Sequence, residues 1–208
     1  GVAAGRLRLT GPLLSDIFLG KISNWSDPAV RAVNPDLALP DLKINVRFRK
    51  DGSGTTSVVT GYLSQISAEW KAQVGSDALV AWPVGNGAEG TQGLVRAVST
   101  TKGAIGYIEY GQVARAGLAF AELQNSDGRF VRPDAVSFQA AANAVDWKGA
   151  RDFDRQLTNQ AGAAAYPITA ATFAVVPTTG RSAGRIARVH DLFRLAFDKG
   201  GSEAIALG

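Results

Sequence analysis

The stretch Arg49-Lys50-Asp51-Gly52-Ser53-Gly54-Thr55-Thr56 decides how this chain is read. It follows Leu42-Lys43-Ile44-Asn45-Val46-Arg47-Phe48, whose alternation of apolar and polar residues predicts a half-buried strand. It precedes Ser57 to Ile66, which is patterned as an amphipathic helix. A glycine-rich, hydroxyl-bearing turn therefore sits where a strand hands over to a helix. The first amides of a helix lack internal partners, and the helix dipole is positive at that end. Ser53, Thr55 and Thr56 add hydroxyl donors, Gly52 and Gly54 permit close approach of the backbone, and Arg49 adds a fixed cation with a fork of N–H groups. Together these predict an anion cradle. The same residues also fit an ordinary solvent-facing turn with a Ser or Thr N-cap. They do not form a Walker A loop, because no Gly-Lys-Ser/Thr closes the turn.

Working outward, helix and strand patterns alternate along the 208 residues, which predicts an α/β fold. Helices are expected over 12–19, over 27–33 with Asp27 as N-cap and Pro28 at the first position, and over 67–74, 91–100 and 134–144. Further strands are expected over 78–84 and 104–110. Residues 166–177 read as an extended segment with a strand, and 181–199 as a helix whose dry face is Ile186, Val189, Leu192, Phe193 and Phe197. The absence of cysteine excludes disulfides and thiolate chemistry. A formal charge of +4, with 22 basic residues spread along the chain, gives no dense patch for nucleic acid. No apolar run reaches the roughly 18 residues of a membrane span.

Several motifs besides the turn carry a resemblance. Leu9-Thr10-Gly11-Pro12-Leu13-Leu14-Ser15-Asp16-Ile17-Phe18-Leu19-Gly20-Lys21-Ile22, Asn24-Trp25-Ser26-Asp27-Pro28, Trp82-Pro83-Val84-Gly85, Gly103-Ala104-Ile105-Gly106-Tyr107-Ile108-Glu109-Tyr110 and Tyr166-Pro167-Ile168-Thr169 fall in the same order as landmarks of one family. The chain resembles the periplasmic phosphate-binding proteins of bacterial phosphate ABC importers. The resemblance implies a periplasmic-binding-protein-like (type II) α/β architecture, with one complete lobe and part of the second. Residues 1–7 would cross between lobes, 8–163 would form the second lobe with the anion turn, and 164–208 would be a crossing strand and helix of the first lobe. It further implies an exported, non-enzymatic receptor that binds inorganic phosphate and delivers it to the membrane permease of an ABC importer, with no cofactor and no metal.

Carried over residue by residue, Arg49 would bind the anion and Asp51 would orient Arg49, while Ser53, Gly54 and Thr55 would donate hydroxyl and backbone N–H groups. Lys50 departs from the small residue usual in the family. The family's glycine-rich N-terminal segment, which supplies the other half of the phosphate shell and a carboxylate that accepts the ligand's proton, has no counterpart here. Asp51 is then the one nearby carboxylate, and pairing with Arg49 would occupy it. The expectation is weak binding with poor discrimination from sulfate. Two other readings remain open: a vestigial anion site on a surface used for protein contacts, or an enzyme acting on a phosphorylated substrate. Gly85-Asn86-Gly87-Ala88-Glu89-Gly90 matches G-x-G-x-x-G and reads as a tight structural loop, Glu109 being a loose fit to the acidic residue a dinucleotide site requires. His190, the single histidine, lacks the second ligand or the nucleophile elbow that metal or triad chemistry requires. Tyr107, Glu109 and Tyr110 either line a cleft or simply end a strand.

Overall fold

The computed structural model describes residues 3–149, 155–176, 179 and 183–207. The chain divides into two compact units, Gly1–Ala170 and Ala171–Gly208. The first unit carries two three-stranded sheets with helices between their strands. In one sheet β2 (Asn45–Arg49) lies at the centre, parallel to β3 (Asn86–Ala88) on one side and to β4 (Ala104–Ile105) on the other. In the other, β1 (Arg8–Leu9) runs parallel to β5 (Glu122–Gln124), which turns back antiparallel as β6 (Phe130–Val131). Parallel neighbours need long crossovers. Those of the β2 sheet are α3 (Gly54–Ile66) with α4 (Ala68–Gln73), and then α5 (Gly90–Thr100).

Local signals fix most helix starts. Thr10 caps α1 (Gly11–Phe18) by accepting from the Leu13 N–H at 3.3 Å, and Pro12 sits in its first turn. Asp27 caps α2 (Pro28–Ala32), and Asp134 and Ser137 make a reciprocal capping box at the start of a helix over Ala135–Asn143. Between α2 and that helix comes α6 (Tyr110–Arg115), and the capping-box helix is α7. The core gathers Leu13, Leu14, Ile17 and Phe18 of α1, Val59, Tyr62 and Leu63 of α3, Trp70 of α4, Val46 of β2 and Leu94 of α5. Each such side chain stabilises by about 1.5–3 kcal/mol on burial. Burial also pushes the Tyr62 phenol up to about 12.

Four expectations are corrected. The helix after the anion turn begins at Gly54 rather than Ser57, because Ser53 is the N-cap and its hydroxyl accepts from the Thr56 N–H. Residues 78–84 are not a strand. The chain turns at Gly85, with φ +101 and so close beneath β2 that a Cβ would lie 2.5 Å from the Val46 carbonyl oxygen, and only then pairs with β2 as β3. The strand expected over 104–110 stops at Ile105, and Tyr110 to Arg115 is helix. Within 166–176 no strand forms, since no described strand offers a ladder beside it; Pro177 lies outside the described residues.

The second unit holds α8 (Ala183–Lys199) and α9 (Gly201–Leu207); Arg181 and Ser182 of the expected helix lie outside the described residues. Ile186, Val189 and Phe193 are partly covered. Leu192, Leu195 and Phe197 are exposed, so the expected dry face is covered along one edge only.

Candidate functional site

The site is built where β2 ends. Arg49 is the last residue of β2 and Ser53 caps α3, so the turn between them places a guanidinium beside a helix N-terminus. The Arg49 Nε donates to Asp51 Oδ1 at 2.7 Å, and its Nη2 donates to Asp51 Oδ2. Asp51 Oδ1 also accepts the Gly90 N–H at 2.9 Å. The Arg49 guanidinium, with the Gly90 amide adding to it, holds the Asp51 carboxyl well below the usual carboxylate range. Arg49 is likewise raised by the Asp51 hydrogen bond.

A second helix converges on the same guanidinium. Arg49 Nη1 donates to Thr91 Oγ1 at 3.2 Å, and Thr91 is the second residue of α5. Both α3 and α5 begin with a Gly-Thr pair, Gly54-Thr55 and Gly90-Thr91. The positive end of the α5 dipole thus meets Arg49, and Thr55 at the start of α3 lines the same recess. Of the five guanidinium N–H groups, three are engaged by Asp51 and Thr91. The N–H groups of Gly54 and Thr55 have no acceptor among the described residues. Gly90 adopts φ +63 with open space where a Cβ would stand, so its role is the turn into α5.

Beneath these donors lies Tyr107. Its ring stacks on Trp82 (centroids 5.5 Å apart, planes at 20°), and Trp82 stacks in turn on Phe48 of β2 (5.2 Å, 15°). The Tyr107 hydroxyl accepts the Arg49 backbone N–H at 3.0 Å and lies 2.7 Å from Thr56 Oγ1. Its phenol is raised chiefly by burial. A small recess opens above, lined by Arg49, Thr55, Thr91, Leu94, Tyr107 and Glu109. At its edge the Thr55 hydroxyl donates to Glu109 Oε1 at 3.0 Å.

Of the residues singled out from the sequence, Arg49, Asp51 and Thr55 come together here, with Gly54 at the first position of α3. Ser53 is buried and spends its oxygen on the cap, which leaves its hydroxyl hydrogen as its donor. Lys50 points away to an exposed ion pair with Glu89, 3.2 Å apart. Gly90 and Thr91 are the additions, while Tyr107 and Glu109, read from the sequence as lining a cleft or ending a strand, line the recess. The repeated Gly-Thr pair at two helix starts was the signal for the first two. Asp51 is not the one nearby carboxylate, because Glu109 stands at the edge of the same recess.

The model of the PBP superfamily domain matches residues 2–188. The chain belongs to the PBP superfamily. It is 46% identical over 203 residues to the phosphate-binding protein PstS of Xylella fastidiosa (strain Temecula1), covering 98% of this chain and 56% of that protein. It is 42% identical to the protein of the same name in Haemophilus influenzae, covering 99% of this chain and 62% of the other. The chain thus spans somewhat more than half the length of these curated relatives. Among solved structures it is similar in fold to the high affinity periplasmic phosphate-binding protein PfluDING bound with phosphate. That match has a TM-score of 0.59 and 22% identity and covers 93% of this chain and 57% of the other. It is also similar to the phosphate-binding protein from Stenotrophomonas maltophilia, with a TM-score of 0.53, 22% identity and coverage of 80% and 48%. These likenesses show the periplasmic-binding-protein-like fold. No described helix is long and apolar enough to cross a membrane.

Proposed function

We propose that this chain binds inorganic phosphate and acts within a receptor that hands the ion to the permease of an ABC importer in the periplasm. Residues 8–163 then serve as the second lobe, 1–7 as a crossing and 164–208 as part of the first lobe. The observation that carries the reading is a guanidinium held in place by a carboxylate at the start of α5, in a recess that Thr55 at the start of α3 also lines. The names of the relatives support phosphate as the anion. A binding role without chemistry fits the donor set, because the recess offers N–H and hydroxyl groups around a cation whose partner Asp51 is held ionised.

Each hydrogen bond to a charged group contributes about 1.5–3 kcal/mol. Titration calorimetry with phosphate should therefore show Arg49→Ala weaker by at least about tenfold, or 1.4 kcal/mol, with the thermal melt of the variant recorded alongside. Unchanged phosphate affinity in a folded Arg49→Ala protein would overturn the assignment and favour a vestigial site.

A further inference from the structure

We propose that Thr91 is a phosphate-contacting residue of this recess, its hydroxyl passing the polarisation of Arg49 on to the bound anion. The inference rests on the phosphate reading above and adds to it a donor that the strand-to-helix turn does not supply. Thr91 lines the recess, half-buried, from the start of α5. The Gly90 amide beside it is tied to Asp51 Oδ1 at 2.9 Å, so the carboxylate that orients Arg49 also fixes the residue next to Thr91.

A threonine hydroxyl has one hydrogen and two lone pairs. Thr91 Oγ1 accepts from Arg49 Nη1 at 3.2 Å, and its own hydrogen has no acceptor among the described residues. Helical threonines often turn that hydrogen back on a carbonyl of the preceding turn. Thr60 does so with the Thr56 carbonyl at 2.9 Å, and Thr100 with the Arg96 carbonyl at 2.8 Å. Thr91 does not. The other hydroxyls of the recess are engaged elsewhere. That of Thr55 donates to Glu109 Oε1 at 3.0 Å, and that of Tyr107 is held by the Arg49 amide and the buried Thr56.

A hydroxyl that accepts from a cation is polarised, and its own hydrogen becomes a stronger donor. Because a lone pair of Thr91 Oγ1 faces Arg49, the hydrogen points away from the guanidinium. An oxyanion in the recess is the acceptor that satisfies it. Phosphate offers several acceptor oxygens, so Thr91 and the free amides of Gly54 and Thr55 do not compete for one lone pair. The start of α5 thereby adds a donor to those of the turn before α3.

The test pairs two substitutions with one structure. Thr91→Val keeps the shape and removes the hydroxyl, whereas Thr91→Ser keeps the hydroxyl. Titration calorimetry is expected to show phosphate binding at least about tenfold weaker in Thr91→Val, the size of one hydrogen bond to a charged group, and within about threefold of wild type in Thr91→Ser. A thermal melt without phosphate checks that both variants fold. In crystals of the wild-type protein grown with phosphate, Thr91 Oγ1 is expected within about 3.0 Å of a phosphate oxygen. A folded Thr91→Val protein that binds within about threefold of wild type overturns this inference alone, as do equal losses in the two variants. So does a bound phosphate whose oxygens all lie more than about 3.5 Å from Thr91 Oγ1, which would leave Thr91 as a brace for Arg49 only. A wild-type protein that binds no phosphate overturns the phosphate reading and this inference with it.

Discussion

Replacing Tyr107 with Phe removes one oxygen and keeps the ring stack. That oxygen is the acceptor of the Arg49 N–H at 3.0 Å and the partner of Thr56 Oγ1 at 2.7 Å. Thr56 is fully buried, at 0% exposure, so its hydroxyl has no route to water once Tyr107 lets go. A buried polar group left unpaired costs about 1–3 kcal/mol. The Arg49 amide is half-buried and falls at the low end of that range, and the Thr56 hydroxyl at the high end. The sum is a loss of about 2–4 kcal/mol. It is read from the urea midpoint at an unchanged m-value, which marks a change in stability rather than in the unfolded state. A double-mutant cycle with Thr56→Val isolates the cause. Removing both hydroxyls abolishes the Thr56 orphan and leaves only the Arg49 amide unpaired, so Tyr107→Phe/Thr56→Val should be more stable than the two single losses predict by at least about 1 kcal/mol. A loss under about 1 kcal/mol in Tyr107→Phe, or strict additivity in the cycle, would refute the claim that this hydroxyl fastens the end of β2 to α3.

Two further outcomes follow from the same geometry. Because Asp51 is held below its unfolded value of about 3.9, its contribution is fully present above that value and is lost only as pH falls through the lower folded one. The melting-temperature gap between wild type and Asp51→Asn should thus be flat from neutral pH down to about pH 4 and close only in stronger acid; a gap that closes above about pH 5 contradicts the pairing. Gly90→Ala should cost about 1–2 kcal/mol in urea unfolding, since only left-handed backbone strain is involved. Gly85→Ala adds a Cβ 2.5 Å from the Val46 carbonyl oxygen and should cost about 3 kcal/mol or more. Equal losses would mean that the approach of β3 to β2 is not as close as described.

The parts of the fold that were legible are those whose causes are local. Asp27-Pro28 starts a helix wherever it lies, and Ser53 ahead of Gly54-Thr55-Thr56 supplies a cap from its own turn. The short parallel strands have no such local cause. Asn86-Gly87-Ala88 contains no β-branched or aromatic residue and is a strand only because Arg47, Phe48 and Arg49 lie beside it. The 78–84 segment reads as a strand for the opposite reason. Its apolar residues are a genuine core signal, yet Trp82 spends its ring in the stack with Phe48 and Tyr107, and Pro83 has no N–H to give a ladder. In the site, Arg49 and Asp51 are two residues apart and visible as a pair. Gly90, Thr91 and Glu109 reach the same place from 39, 42 and 54 residues away along their hydrogen bonds, and only the Gly-Thr pair repeated at two helix starts hints at it, for Gly90 and Thr91.

The Arg49–Asp51 pair carries no net charge, so on the phosphate reading the attraction of the recess for an anion is not that of a bare cation. It comes from fixed N–H groups whose directions are set before any ligand arrives. An arginine side chain holds about 2 kcal/mol of rotamer freedom. Asp51 and Thr91 remove that freedom when the chain folds, and the loss no longer subtracts from binding. The same logic explains why a carboxylate beside an anion site is not self-defeating. Asp51 lends its charge to a partner that needs orienting. On the phosphate reading, that pairing lowers the electrostatic pull on anions in general while fixing the directions of the donors, which a cluster of lysines would not do.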